Sequence, residues 1–134
     1  QEPAAGLAHA PGLPAGWSPE ALAPHVLGQA AVAVTVLDLE GRLLFYNRYA
    51  PNILDRKPAY LGRDVGELHQ PASRAKMQAI LAAYRDGERR EYTWRLPRGE
   101  KTFAVRVAPL ILAERAVGLV HTVMLLPEAG DSGN

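Results

Sequence analysis

One loop that runs into one helix divides this chain, and the division limits what the remainder can build. Residues 60–73 carry Gly62 and Gly66, where the backbone can turn without strain, and then Pro71, whose fixed dihedral suits the first turn of a helix. The spacing predicts a helix over 72–86. Met77, Ile80, Leu81 and Tyr84 fall at i, i+3, i+4 and i+7, while Arg74, Lys76, Gln78 and Arg85 fall mostly outside that face. Gly87 is positioned to end it. Two short apolar runs precede this segment and three follow it, so one loop and one helix separate two groups of strands.

The first group reads as a hairpin. Residues 32–38 are rich in β-branched side chains, Asp38, Leu39, Glu40 and Gly41 form a turn, and 42–46 is the second strand. Residues 47–56 place Tyr49, Ala50, Ile53 and Leu54 at helical spacing between Pro51 and Pro58, which predicts short helical turns only. In the second group, 90–97 alternates Tyr92, Trp94 and Leu96 with polar residues, and 102–112 alternates Phe103, Val105 and Val107 with Ala104, Arg106 and Ala108. The last strand, 117–126, carries Val117, Leu119, His121, Val123 and Leu125 on one face. A sheet with one apolar face and a helix with one apolar stripe cover each other. The expected fold is therefore α+β, a five-stranded antiparallel sheet with short helices and one long helix on one face.

The ends read differently. Residues 1–17 hold Pro3, Pro11 and Pro14 among alanines and glycines and read as a flexible leader or linker. Ser18, Pro19 and Glu20 form a helix start, so 18–29 reads as a flanking helix, with Pro24 as the point where it can break. Its apolar side, Leu22, Val26 and Leu27, suits packing on the domain or on a second copy, and a homodimer is expected. Residues 30–127 form the domain and 128–134 a polar tail. With 134 residues, 48% of them hydrophobic and 22% charged, one domain with a real core is expected.

Several function classes are excluded at this level. A net charge of +1 gives no field for nucleic acid. The absence of cysteine removes disulfides, thiolate metal sites, iron–sulfur clusters and cysteine nucleophiles together. The apolar run at 30–37 is far shorter than the roughly 20 residues a membrane span needs, and a cytoplasmic location fits. No nucleophile elbow, paired carboxylates, zinc spacing or phosphate loop is present, so the chain is not expected to be an enzyme.

The order of elements, with Asp38 to Arg42 leading to Tyr46 to Ala50 and with Leu61, Gly62 and Arg63 heading the segment before the long helix, resembles a PAS domain over about residues 30–127. Leu68, His69, Pro71 and Ser73 resemble an L-H-x-P-x-S subgroup that includes haem-binding PAS domains of bacterial CO-sensing transcription regulators. The resemblance implies a sensory module of a larger signalling or transcription-regulatory protein. It further implies haem held by His69 as an iron ligand, with CO, another gas or redox state as the signal. The second iron ligand of that group is a methionine from the strands after the long helix, and residues 86–112 contain none. The opposite side of the iron is then open, taken by water or gas, or taken by Met124 or Met77. Similar segments also occur in PAS domains with no assigned cofactor, which leaves a cofactor-free dimerisation or signal-relay module, or one that binds another small hydrophobic ligand.

Each candidate residue also has a plain structural reading. His69 suits iron ligation, and equally a cap on the helix that follows. His121, among apolar neighbours, reads as a hydrogen-bonded core or edge histidine. Met77 and Met124 read first as packing. Arg89, Arg90, Arg95, Arg98, Lys101 and Arg106 read as a solvated sheet face that could also neutralise an anionic cofactor, and Tyr92, Trp94 and Phe103 read as core that could also line a cavity.

Overall fold

The computed structural model describes residues 7–68 and 71–128. Its first element, α1 (Pro19–Gln29), begins where the sequence places it: the Ser18 hydroxyl accepts from the Ala21 amide at 3.1 Å, and Pro19 occupies the first turn. Pro24 does not break it. The helix runs through Pro24 with no buried residue, so no packing constraint depends on the ladder bond that proline removes.

The hairpin follows as β1 (Ala33–Asp38) and β2 (Leu43–Tyr46). Its turn is fixed by Asp38, whose carboxylate accepts from the Glu40 and Arg42 amides at 3.0 and 2.9 Å and from Arg42 Nε at 2.8 Å. Burial alone would raise the Asp38 pKa, but these bonds from Arg42 and Glu40 outweigh it and hold the carboxyl below its usual value. Short 3-10 turns at Ala50–Asn52, Pro58–Tyr60 and Val65–Leu68 lead to α2 (Pro71–Arg85). The helix stops at Gly87, which takes a φ of 99° while its amide donates to Tyr84 and the Glu88 amide donates back to Ala83. That pair of bonds is the left-handed glycine stop the sequence suggests.

The meander is β3 (Tyr92–Arg98), β4 (Lys101–Leu112) and β5 (Arg115–Leu125). The five strands pair antiparallel in the order β2-β1-β5-β4-β3, so the two ends of the chain's strand set meet at the sheet centre. The expected α+β architecture is the one observed. Rows across the inner face follow the register: Leu37 opposes Leu43 and Leu119, Thr35 opposes His121, and Ala33 opposes Val123. Gly118 sits where β5 meets β1. A Cβ there would lie 2.0 Å from the Leu37 carbonyl oxygen, so only glycine permits this approach.

The face of α2 is the one the periodicity marks. Ile80, Leu81 and Tyr84 are buried against Leu37, Leu43, Val107 and Leu119, with Met77 partly buried at the edge of the cluster. The last strand differs from its expected face in one respect. Leu119 and Val123 are buried, whereas Val117 and Leu125 are exposed: the pairing of β4 with β5 shifts register between Leu110 and Ile111, which sets Ala116 rather than Val117 against the core, and Leu125 is the last residue of the strand.

The loop before α2 also does more than turn. Leu43 donates to the Arg63 carbonyl at 2.9 Å, Gly62 to the Leu43 carbonyl at 2.8 Å and Val65 to the Gly41 carbonyl at 2.9 Å. Residues 61–65 thus take up backbone groups of Gly41 and Leu43, where β2 begins.

Candidate functional site

The space between α2 and the inner face of the sheet is not filled evenly. Toward the start of α2 it opens into a cavity of about 130 Å³. Its apolar wall is Leu54, Met77, Trp94, Leu96, Val105 and Val123. Its polar groups are Arg56, Ser73, Lys76, Arg98 and His121. Larger hollows lie elsewhere: one of about 790 Å³ beside Arg95, Lys101 and Glu128 at the strand ends, one of about 540 Å³ on the sheet face that bears Ala104, Thr122 and Met124, and one of about 450 Å³ at the side of α2 between Lys76, Ile80 and Tyr92.

Arg56 is the buried charge of this site. It is only 9% exposed, and its Nε donates to Thr35 Oγ1 at 3.1 Å while Nη1 donates to the Asp55 carbonyl at 3.1 Å. Thr35, itself buried on the inner face of β1, stands directly across from His121 on β5. Burial lowers the Arg56 pKa, against an opposing pull from the Asp55 charge. Among the described residues no carboxylate pairs with Arg56, and no Asp or Glu lines the cavity. Lys76 lies over the Trp94 ring at 4.2 Å from its centroid, so the rim also carries positive charge.

A second polar group holds the flanking helix. Asn47, 6% exposed, donates from Nδ2 to the carbonyls of Leu27 and Val32 at 2.8 Å each and accepts from the Val34 amide at 2.9 Å. One side chain thereby ties α1 to β1, and Arg48 adds a longer bond to the Gly28 carbonyl.

The candidates from the sequence are placed as follows. His69 lies outside the described residues, between Leu68 and Pro71 in the chain. Met77 lines the cavity from α2. Met124 does not: it lies on the other side of β5 from Val123 and is 48% exposed. The two methionines therefore face opposite sides of the sheet. His121, read from the sequence as a core histidine, is partly buried and lines the cavity. The basic residues of the meander do not act together. Arg106 is bound to Glu91 through two bonds, Arg90 lies over Tyr92 near Glu88, and Arg98 alone of that group lines the cavity.

Arg56 and Thr35 were not marked by the sequence. Arg56 sits in no motif, and nothing in periodicity distinguishes a buried arginine after a short helical turn from a solvated one. A haem is a poor fit to this space. Small-molecule pockets usually span roughly 300–1,000 Å³, and the cavity has less than half the lower figure. Among the described residues no three His, Asp or Glu side chains gather to hold a metal ion, and no helix is long and apolar enough to cross a membrane.

Comparison with known proteins places this geometry. Among solved structures, the PAS domain of Bordetella pertussis BvgS is similar, with 18% identity and a TM-score of 0.63 over 81% of this chain and 86% of that one. A sensory box sensor histidine kinase from Vibrio cholerae matches at 16% identity and a TM-score of 0.58, over 81% and 93% of the two chains. The PAS domain of the Cronobacter turicensis RpfR quorum-sensing receptor, solved in complex with BDSF, matches at 16% identity and 0.56, over 76% and 100%. No curated protein matches. The family described as PAS domain matches residues 25–124, most of the chain and all but the last residue of its sheet, and the chain belongs to that family.

Proposed function

We propose that this chain is the sensory module of a larger bacterial signalling or regulatory protein, in which a small molecule held between α2 and the sheet is the signal. The observation that carries the reading is the cavity of about 130 Å³ beneath the start of α2, with a buried arginine in its wall. The structural neighbours lend support, since one is described as a sensory box sensor histidine kinase and another as a quorum-sensing receptor PAS domain in complex with BDSF. A ligand in that space touches α2 and β5 at once, so it can change how they pack. The module is not proposed to be an enzyme. Homodimerisation through α1 belongs to the same proposal, supported by the 63% exposure of Val26 and the 39% exposure of Leu27 on a helix with no buried residue. Light scattering on the Val26→Asp, Leu27→Asp double variant reads it: a dimer that becomes a monomer supports α1 as the contact.

The finer reading gives the cavity to haem on His69, with CO, another gas or redox state as the signal and transcription as the output. It rests on the resemblance of residues 68–73 and is opposed by the volume of the cavity. The absorption spectrum after expression with haem supplied tests the choice. The expected result is no Soret band. A stoichiometric Soret band that is lost in His69→Ala would replace the small-ligand reading with the haem one.

A further inference from the structure

We infer that the cavity under α2 is a receptor for a small carboxylate, bound by the Arg56 guanidinium and seated on the apolar wall formed by Leu54, Met77, Val105 and Val123. The inference rests on the sensory reading for there being a ligand at all, and names its chemical class. Three observations converge on it.

The first is a buried charge that no ion pair holds among the described residues, the Asp55 carboxylate acting on it without contact. Arg56 is 91% removed from solvent, yet its acceptors are a hydroxyl and a carbonyl, both uncharged. A buried cation ordinarily keeps a carboxylate beside it, because the desolvation of an unpaired charge is costly. Of the five N–H donors of a guanidinium, two are accounted for by Thr35 and Asp55. Its planar fork matches a carboxylate with two parallel bonds. The second is the sign of the surroundings. Lys76 and Arg98 also line the cavity, and no acidic residue among the described ones does. The third is size and texture. At about 130 Å³ the space approaches the ~150 Å³ of an engineered cavity that holds benzene, so it suits roughly six non-hydrogen atoms. More than half of its lining residues are apolar, which calls for a short carbon body rather than a bare inorganic oxyanion.

Butyrate and butyramide test this, because they share one shape and differ in charge. In a Trp17→Phe background Trp94 is the remaining tryptophan, and as a residue of the cavity wall it reports binding by fluorescence. Butyrate is expected to saturate the signal and raise Tm, and butyramide and inorganic phosphate to bind at least ~10-fold more weakly, the loss typical of a missing charged hydrogen bond. Arg56→Gln should weaken butyrate by a similar factor and leave butyramide unchanged. Arg98→Gln, at an exposed position, should give a smaller loss, and it keeps the test decisive if Arg56→Gln does not fold. Butyramide or phosphate binding as tightly as butyrate would overturn the carboxylate assignment and leave a ligand cavity standing. Butyrate affinity unchanged in both variants would overturn Arg56 and the basic rim as its receptor. Should neither organic probe bind, the carboxylate assignment falls. The sensory reading falls with it only if native mass spectrometry of the purified protein also finds no small molecule bound.

Discussion

The two halves of α2 rest on different ground. Its second half lies on a filled cluster in which Ile80, Leu81 and Tyr84 meet Leu37, Leu43, Val65, Val107 and Leu119. Its first half, with Ser73, Lys76 and Met77, faces a cavity walled by Arg56 and His121, and the buried residues nearby belong to a separate cluster of Ala33, Ala50, Phe103, Val105 and Val123. One helix is thus fixed at one end and negotiable at the other. On the proposed reading stability and responsiveness are divided along its length, because packed apolar contacts hold a single arrangement while a hollow with mixed apolar and polar walls leaves room for a ligand.

Truncating the packed half should give the largest effect. Leu81→Ala is expected to cost about 2–5 kcal/mol, as core truncations do, and Met77→Ala clearly less, since Met77 borders a space that already exists. Urea midpoints compare the two, and equal losses would erase the distinction between the halves.

Tyr84→Phe comes next. The phenol donates to the Arg90 carbonyl at 2.8 Å, and removing it should cost about 1 kcal/mol near neutral pH. The same residue gives a pH signature. Burial first, then the charges of Tyr92, Glu88 and Glu91, push its pKa up to about 12. The unfolded chain releases this proton near pH ~10. Below that pH the contribution is complete, and it is lost as the pH climbs toward about 12. Thermal melts between those limits should fall more steeply in the native chain than in Tyr84→Phe.

The smallest effect on the free protein is expected at the cavity. Arg56→Met removes a desolvated charge together with two bonds, so stability without ligand should change by no more than about 1 kcal/mol, in either direction. A loss as large as that of Leu81→Ala would mean that Arg56 is a structural strut, and the negotiable half of the helix would be as fixed as the other.

These contrasts also show what can be read from a linear chain. The stripe at Met77, Ile80, Leu81 and Tyr84 was legible because helical period and burial report the same contact. The turn at Asp38 and the helix start at Ser18 were legible because their hydrogen bonds are local. Arg56 was not, since its acceptor Thr35 lies 21 residues away and is brought near only by the completed sheet. Asn47 escaped for the same reason: its partners at Leu27 and Val32 become neighbours only once α1 and the hairpin are in place. Val117 and Leu125 alternate correctly but stay exposed, because alternation foresees neither the register shift that sets Ala116 on the core in place of Val117 nor the residue at which the strand's burial ends.

The backbone bonds that residues 61–65 make to Gly41 and Leu43 also bear on how this domain behaves at high concentration. A sheet edge with free amides and carbonyls is a template for fibril growth. At the start of β2 that template is occupied by the chain's own loop, which takes both backbone groups of Leu43. On the β3 side it is poisoned instead, by Pro97, which offers no N–H, and by Arg95 and Arg98, whose charges would have to stack on copies of themselves. Strand-by-strand aggregation is therefore opposed at both borders, by occupancy where β2 begins and by composition along β3.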